Sequence, residues 1–71
     1  MVDRWIYVNI KDKPLEVYEL INYMHFKVKN YDEFNRKVLV HDDLFGFIWL
    51  DDRHVEYLSK EQSEVMDMIY G

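Results

Sequence analysis

The stretch Leu44-Phe45-Gly46-Phe47-Ile48-Trp49-Leu50 is the strongest indicator of the fold, because it has the clearest β-strand pattern in the sequence. Aromatic and β-branched residues are favoured in strands, and side chains alternate between the two faces of a strand. One face therefore carries Leu44, Gly46, Ile48 and Leu50, and the other carries Phe45, Phe47 and Trp49. Both faces are apolar, whereas a sheet with one solvated face would alternate apolar and polar residues.

Turn signals on both sides of this stretch predict its neighbours in the fold. His41-Asp42-Asp43 precedes it and Asp51-Asp52 follows it, and Asp is favoured in turns. The segment 36–40 contains two β-branched residues, Val38 and Val40, and predicts the preceding strand, and the segment 54–58 predicts the last one. With short turns between them, we expect these strands to form an antiparallel meander.

The first part of the chain adds a strand and a helix. The segment 4–10 is rich in β-branched and aromatic residues, which predicts a strand. Pro14 fits the first turn of a helix, and the helically spaced apolar residues after it predict an amphipathic helix over about residues 14–25. Residues 26–33 allow a short strand at 26–29 followed by a turn at 30–33. They also allow a short helix over 32–38, capped by Asn30 or Asp32.

A second helix closes the chain. Ser59 and Gln62 have the spacing of a capping box, and Val65, Met66 and Ile69 mark the inward side of the helix that follows. The element order is β-α-β-β-β-α, which predicts a small α+β fold with residues 1–71 in a single domain.

The first predicted strand repeats the two-sided apolar pattern, with Trp5 and Tyr7 opposite its aliphatic residues. Either the two helices cover the two faces, or the aromatic face packs against a second copy of the chain. Domains of this size bury only about 60% of the surface of the unfolded chain, less than larger domains do, and oligomerisation is a common remedy. We therefore expect a homodimer, with an aromatic face that serves as core or dimer contact: Trp5, Tyr7, Phe45, Phe47 and Trp49.

The negative charge is concentrated in the second part of the chain. Residues 1–41 hold six acids and seven bases, while residues 42–71 hold eight acids and two bases, so the net charge of -5 divides into +1 and -6. Two acidic pairs bracket the strand at 44–50, and three acids repeat at helical spacing after residue 60. These acids are Asp42, Asp43, Asp51, Asp52, Glu61, Glu64 and Asp67.

In size, acidity and aromatic content, and through those acids, the chain resembles the small host-takeover proteins of bacterial viruses. Among them are acidic DNA mimics that block a host DNA-binding protein, such as the histone-like nucleoid protein HU. The resemblance implies an inhibitor whose seven acids replace DNA phosphates in the basic cleft of a host protein, within the host cytoplasm. The alternative hypothesis is a non-catalytic protein-interaction module that uses an aromatic sheet face, with incidental acidity.

Other functions lack a pattern that would support them. The chain has no cysteine, which excludes disulfides and thiolate metal sites and favours a cytoplasmic location, and no apolar stretch is long enough to cross a membrane. The negative net charge argues against direct binding of nucleic acid. Neither Ser59 nor Ser63 lies in a glycine-rich elbow, so we expect no enzyme and no cofactor. The segments 41–43 and 51–54 hold metal donors at opposite ends of one strand, so we expect no metal site.

Overall fold

The computed structural model describes residues 2–12 and 16–70 of the chain. The strands in this part are β1 (Trp5–Val8), β2 (His25–Lys27), β3 (Asn30–Asp32), β4 (Lys37–Asp42), β5 (Gly46–Asp51) and β6 (Val55–Tyr57). The helices are α1 (Glu16–Ile21) and α2 (Lys60–Tyr70), and a single 3-10 turn spans Asp52–His54. The α+β class with two helices and an antiparallel meander is therefore confirmed.

The strands form two antiparallel sheets joined by one continuous segment. The first sheet has the order β2-β1-β6 and the second has the order β3-β4-β5. The chain passes between the sheets at Val28 and Lys29, because the Val28 N–H donates to the Arg4 carbonyl and the Lys29 N–H donates to the Leu39 carbonyl. Strands that change sheets at a bend form the corners of packed two-sheet folds. The segment 25–32 thus binds the two sheets into one unit.

The meander consists of β3, β4 and β5, and the prediction that the strand at 54–58 extends it is wrong. β6 pairs with β1 in the register Ile6 to Tyr57 and Val8 to Val55. The 3-10 turn redirects the chain after β5, and it begins where the Asp51 carboxylate accepts a hydrogen bond from the Arg53 N–H. A side chain that caps such a turn stabilises the change of direction.

The ambiguous segment is a strand in both of its parts, so the predicted turn at 30–33 and the alternative helix over 32–38 are both wrong. The turn lies at residues 33–36. There the Asp32 carboxylate accepts hydrogen bonds from the Asn35 N–H and the Asn35 side-chain amide, and Arg36 takes a positive φ of 53°. Asx-type turns of this kind set the direction of a hairpin without a helix.

The strand at 44–50 begins later than predicted. Leu44 lies in the turn between β4 and β5 with 81% of its surface exposed, so its predicted place in the strand, on one face with Ile48 and Leu50, is wrong. Gly46 starts β5 with a positive φ of 79°, a conformation that glycine adopts without steric cost.

One core lies between the inner faces of the two sheets. Its buried members are Ile6, Val8, Ile10, Ile21, Phe26, Val28, Val38, Val40, Ile48, Leu50 and Val55. Burying one such side chain stabilises the fold by about 1.5–3 kcal/mol relative to exposure. α1 supplies Ile21 and ends near Asn22, whose side chain both accepts from and donates to the backbone of Ile10. The helix is shorter than predicted, and the predicted start at residues 14 and 15 lies outside the described residues.

Candidate protein-interaction site

The outward face of the second sheet is an apolar surface that the fold leaves open. The outward side chains of β4 and β5, which we call the open face, are Lys37, Leu39, His41, Phe47, Trp49 and Asp51. Phe47 is 68% exposed and Trp49 is 43% exposed, although both lie in the middle of a regular strand. Large aromatic side chains in such positions are usually covered, so their exposure indicates a contact surface.

The open face has an apolar centre and a polar border. Leu39 lies directly across from Trp49, and His41 lies across from Phe47 with the ring centroids 4.9 Å apart in an edge-on arrangement. Lys37 lies across from Asp51 at one end of the strand pair. This arrangement is the one found at protein–protein interfaces, where a desolvated apolar centre is surrounded by charged and polar residues.

The outer face of the first sheet is covered at one end by α2. Trp5 is 9% exposed there. Its N–H donates to the Ser63 hydroxyl at 3.1 Å, and its indole N–H donates to the Asp67 carboxylate at 2.9 Å. The ring of Tyr70 lies 5.9 Å from the indole, measured between centroids. α2 is therefore fixed to β1 by two hydrogen bonds and an aromatic contact.

The contact between α2 and Trp5 gives the helix an orientation opposite to the predicted one. The capping box is confirmed, because the Gln62 N–H donates to the Ser59 hydroxyl and the Ser59 N–H donates to the Gln62 side chain. However, of the three residues predicted on the inward side, Val65 and Ile69 are exposed and Met66 is half-buried, while Ser63 is buried. The polar groups of Ser63 and Asp67 decide which side of the helix faces the sheet, because the unpaired donors on Trp5 need acceptors.

The five aromatic residues predicted as one core or dimer face do not share a face. Trp5 and Tyr7 belong to the first sheet, where Tyr7 is half-buried and its ring lies 5.0 Å from His25 and 6.3 Å from Tyr23. Phe47 and Trp49 belong to the second sheet and Phe45 to the turn before it, and all three are exposed. Neither predicted arrangement applies to both sheets, since a helix covers the first and leaves the second open.

Four of the seven predicted phosphate surrogates are hydrogen-bonded within the chain. Asp42 accepts from the N–H groups of Leu44 and Phe45 and so caps the turn between β4 and β5. Asp51 caps the 3-10 turn, and Asp52 accepts from the Tyr31 hydroxyl at 3.3 Å. Burial of the Tyr31 hydroxyl and the nearby Asp52 carboxylate raise the pKa of Tyr31. These acids support local structure, as Asp commonly does in turns.

Asp67 is the fourth of these acids, and it joins three elements. Besides the Trp5 indole, its carboxylate accepts from the Lys27 ammonium of β2 at 2.9 Å. The Trp5 hydrogen bond and then the Lys27 hydrogen bond lower the pKa of Asp67, and the same contact with Asp67 raises the pKa of Lys27. Both donors contact Oδ1, and the Lys27 ammonium offsets the negative charge of the carboxylate, so Asp67 is a poor substitute for a phosphate.

The remaining three predicted surrogates, Asp43, Glu61 and Glu64, are exposed. Asp42 and Asp43 lie at one end of β5 and Asp51 and Asp52 at the other, as predicted. The seven acids therefore occupy the two ends of a hairpin and a separate helix.

An open groove of about 700 Å³ lies between β2, the turn after β4 and the last part of α2. Lys27 and Lys29 line it together with Asp42, Asp43 and Asp67, so positive and negative side chains lie side by side in it. The basic and aromatic stretch at 25–31, which would stack bases in a nucleic-acid binder, has its Phe26 and Val28 in the core.

Among residues 2–12 and 16–70, no group of three His, Cys, Asp or Glu side chains is arranged to hold a metal ion.

Sequence reasoning missed Ser63 as the residue that orients α2. The signal for this role lies in contacts between residues about sixty positions apart, which local patterns do not show. That one aromatic face is left uncovered by the helices was one of the two arrangements that the sequence allowed. No helix in the described part of the chain is long and apolar enough to span a membrane.

No protein-family model, curated protein or solved structure matches the chain, so its function must be inferred from its own residues.

Proposed function

We propose that this chain is a non-catalytic protein-interaction module that binds its partner through the open face. The observation that carries the proposal is the exposure of Phe47 and Trp49 on a regular strand whose opposite side packs in the core. A rigid sheet presents these rings without a further loss of backbone entropy on binding, which favours affinity.

The side chains of the open face indicate the chemistry of the partner. Aromatic residues at the centre of an interface commonly contribute 2 kcal/mol or more each when they are fully desolvated. Asp42 and Asp43 add a negative border at one end of β5, whereas at the other end Lys37 and Arg53 lie beside Asp51. The partner therefore carries an apolar patch bordered by Lys or Arg, and charge attraction accelerates the encounter.

A pull-down with matched variants tests this function. The full chain is immobilised and exposed to a lysate of its native source cell, beside the variant Phe47→Ser/Trp49→Ser and the control Val65→Ser/Ile69→Ser. The control removes equally exposed apolar side chains from α2. A protein that is retained by the wild type and the control but lost by the open-face variant supports the proposal. Retention of the same proteins by all three chains refutes it.

A second candidate function is the acidic DNA mimic that occupies the DNA-binding surface of a basic host protein. The exposed carboxylates of Asp43, Glu61 and Glu64, in a region with net charge -6, favour it. In this case binding depends on rows of charge rather than on aromatic rings, so it weakens steeply as salt rises.

Charge reversal separates the two functions. The variant Asp43→Lys/Glu61→Lys/Glu64→Lys changes three exposed acids that cap no turn, and it leaves Phe47 and Trp49 in place. Loss of the partner in this variant, with retention in Phe47→Ser/Trp49→Ser, supports the DNA mimic. The opposite result supports the open face.

A further inference from the structure

β5 is an edge strand with a free backbone. Among the described strands it pairs with β4, and no strand lies on its other side. The Asp52 N–H donates to the Arg36 carbonyl, so Asp52 and Arg36 are a hydrogen-bonded pair. Hydrogen-bonded and non-hydrogen-bonded pairs alternate along antiparallel strands such as β4 and β5. It follows that the N–H and C=O groups of Phe47, Trp49 and Asp51 point away from β4.

This edge lacks the features that usually prevent pairing. Natural edge strands are shortened or carry lysine, proline or a bulge that blocks a second strand. β5 is six residues long, and its sequence Gly-Phe-Ile-Trp-Leu-Asp contains no lysine and no proline. The other edge of this sheet, β3, is three residues long and is preceded by Lys29.

We propose that β5 pairs antiparallel with β5 of a second copy, so that the two second sheets form one continuous sheet. In the proposed register, Phe47 of one copy lies opposite Trp49 of the other, and the two-fold axis passes beside Ile48. Two-fold symmetry makes the same pair occur twice, and aromatic cross-strand pairs stabilise a sheet.

Charge complementarity favours a second copy as the occupant of this edge. The proposed register brings Asp43 of one copy to the end of the strand where Arg53 of the other lies, and symmetry repeats the pair. Both side chains are exposed in the single chain. The edge is thus complementary to itself in aromatic content and charge.

Other registers that keep the free backbone groups matched lack this complementarity. A shift that places Phe47 opposite Phe47 brings Asp51 to Asp43 of the other copy, and like charges in that position repel. A shift the other way places each Asp51 against the ring of Phe47 and leaves Arg53 with only the Asp51 of its own chain, 3.6 Å away, and no acid of the other copy. The register with Phe47 opposite Trp49 is therefore the favoured one.

The pairing leaves the open face free and enlarges it, because directly opposed side chains point to the same side of a sheet. Two Phe47 and two Trp49 side chains then lie next to one another. The proposal does not depend on the partner described above, since it concerns the purified chain alone.

Proline at position 51 provides a specific test. Asp51 has φ -65° and ψ 134°, a conformation that proline adopts, and its N–H faces the free edge. Asp51→Pro removes that N–H, whereas the control Asp51→Ala removes the same carboxylate and keeps the N–H. Sedimentation equilibrium should give twice 8.8 kDa for the wild type and Asp51→Ala, and 8.8 kDa for Asp51→Pro. Circular dichroism checks that each variant is folded.

A charge exchange provides a second test that does not alter the backbone. Asp43→Arg places like charges at both ends of the paired strands and should shift the mass to 8.8 kDa. Asp43→Arg/Arg53→Asp restores opposite charges and should restore the dimer. A wild-type chain that stays at 8.8 kDa up to millimolar concentration overturns the proposal. A folded Asp51→Pro as dimeric as Asp51→Ala, or an Asp43→Arg chain as dimeric as the wild type, overturns it as well.

Discussion

The two sheets begin from the same sequence pattern and differ in what covers them. β1 and β5 each carry apolar residues on both faces, and each has a tryptophan on the outer one. Trp5 on the first sheet is 9% exposed beneath α2, while Trp49 on the second is 43% exposed. An apolar outer face therefore does not determine whether a strand is enclosed within the chain or left for another molecule.

Polar groups account for the difference between the sheets. α2 contacts β1 through the Ser63 hydroxyl and the Asp67 carboxylate, which accept from the two N–H groups of Trp5. Trp5 thus supplies specific donors as well as apolar area. A helix that docks through such hydrogen bonds has one orientation, whereas apolar contact alone would permit several.

Replacing each tryptophan by alanine gives the largest expected effect and tests the comparison directly. Trp5→Ala removes a buried ring together with its contacts to Tyr70 and Asp67. We expect it to lower the free energy of unfolding by about 3–5 kcal/mol, the usual cost of truncating a buried aromatic residue. Trp49→Ala should cost less, about 2 kcal/mol, since 43% of the side chain is already exposed. Urea denaturation of both variants measures the difference, and equal losses would mean that the open face is covered.

Replacing serine by alanine in α2 sharpens the comparison at the level of one hydrogen bond. Ser63→Ala leaves the Trp5 N–H without its acceptor in a buried position. The expected loss is about 1–3 kcal/mol, the cost of an unsatisfied buried donor. Ser59→Ala is the matched control in the same helix, because it removes an exposed cap and should cost about 1 kcal/mol. A smaller loss at Ser63 than at Ser59 would contradict the role assigned to the Ser63 hydroxyl.

Local patterns were sufficient to predict some of these features. The strand at β5, the capping box of α2 and the α+β class follow from residues that are neighbours in sequence. The orientation of α2 depends on contacts between Trp5 and residues 63 and 67, and the pairing of β6 with β1 closes the chain over a similar distance. Side-chain periodicity carries no information about such partners, so Val65 and Ile69 were wrongly placed inside.

The residue types of the candidate site were predictable from the sequence, but the role of each residue was not. The sequence identified the aromatic residues of β5 and the acids at its two ends. It could not indicate that Asp42 and Asp51 are occupied by backbone N–H groups, since a turn and a phosphate-like surface require the same residue type.

The pH dependence of stability tests the role of Asp67 in holding α2 on the first sheet. Its pKa is lowered below the ordinary value of 3.8, first by the Trp5 indole and then by Lys27. A group with a lowered pKa stabilises the fold above its unfolded pKa, and this contribution disappears as pH falls through the folded value. The wild type should therefore lose stability from about pH 5 downward.

In Asp67→Asn, stability should decrease less steeply as the pH falls. Thermal unfolding at several pH values between neutral and acidic measures this dependence. The stability of Asp67→Asn will still fall somewhat with falling pH, because hydrogen bonds from Asn35 also lower the pKa of Asp32. Asp32→Asn, a substitution in the second sheet, serves as the control. The effect is smaller than that of Ser63→Ala, because the carboxylate is half-exposed and solvent screens its ion pair. An unchanged slope in Asp67→Asn would show that the contact does not persist in solution.

The smallest expected effect concerns the outer side of α2. Val65 and Ile69 are 53% and 64% exposed, although their spacing is that of an inward-facing pair. The variant Val65→Ser/Ile69→Ser should change the free energy of unfolding by about 0.5 kcal/mol per site or less, as surface substitutions usually do. If the helix instead packed on its apolar side, the same variant would cost several kcal/mol and Ser63→Ala would cost almost nothing. Measured together, the two variants decide which side of α2 covers Trp5, and with it why the first sheet is closed while the second remains open.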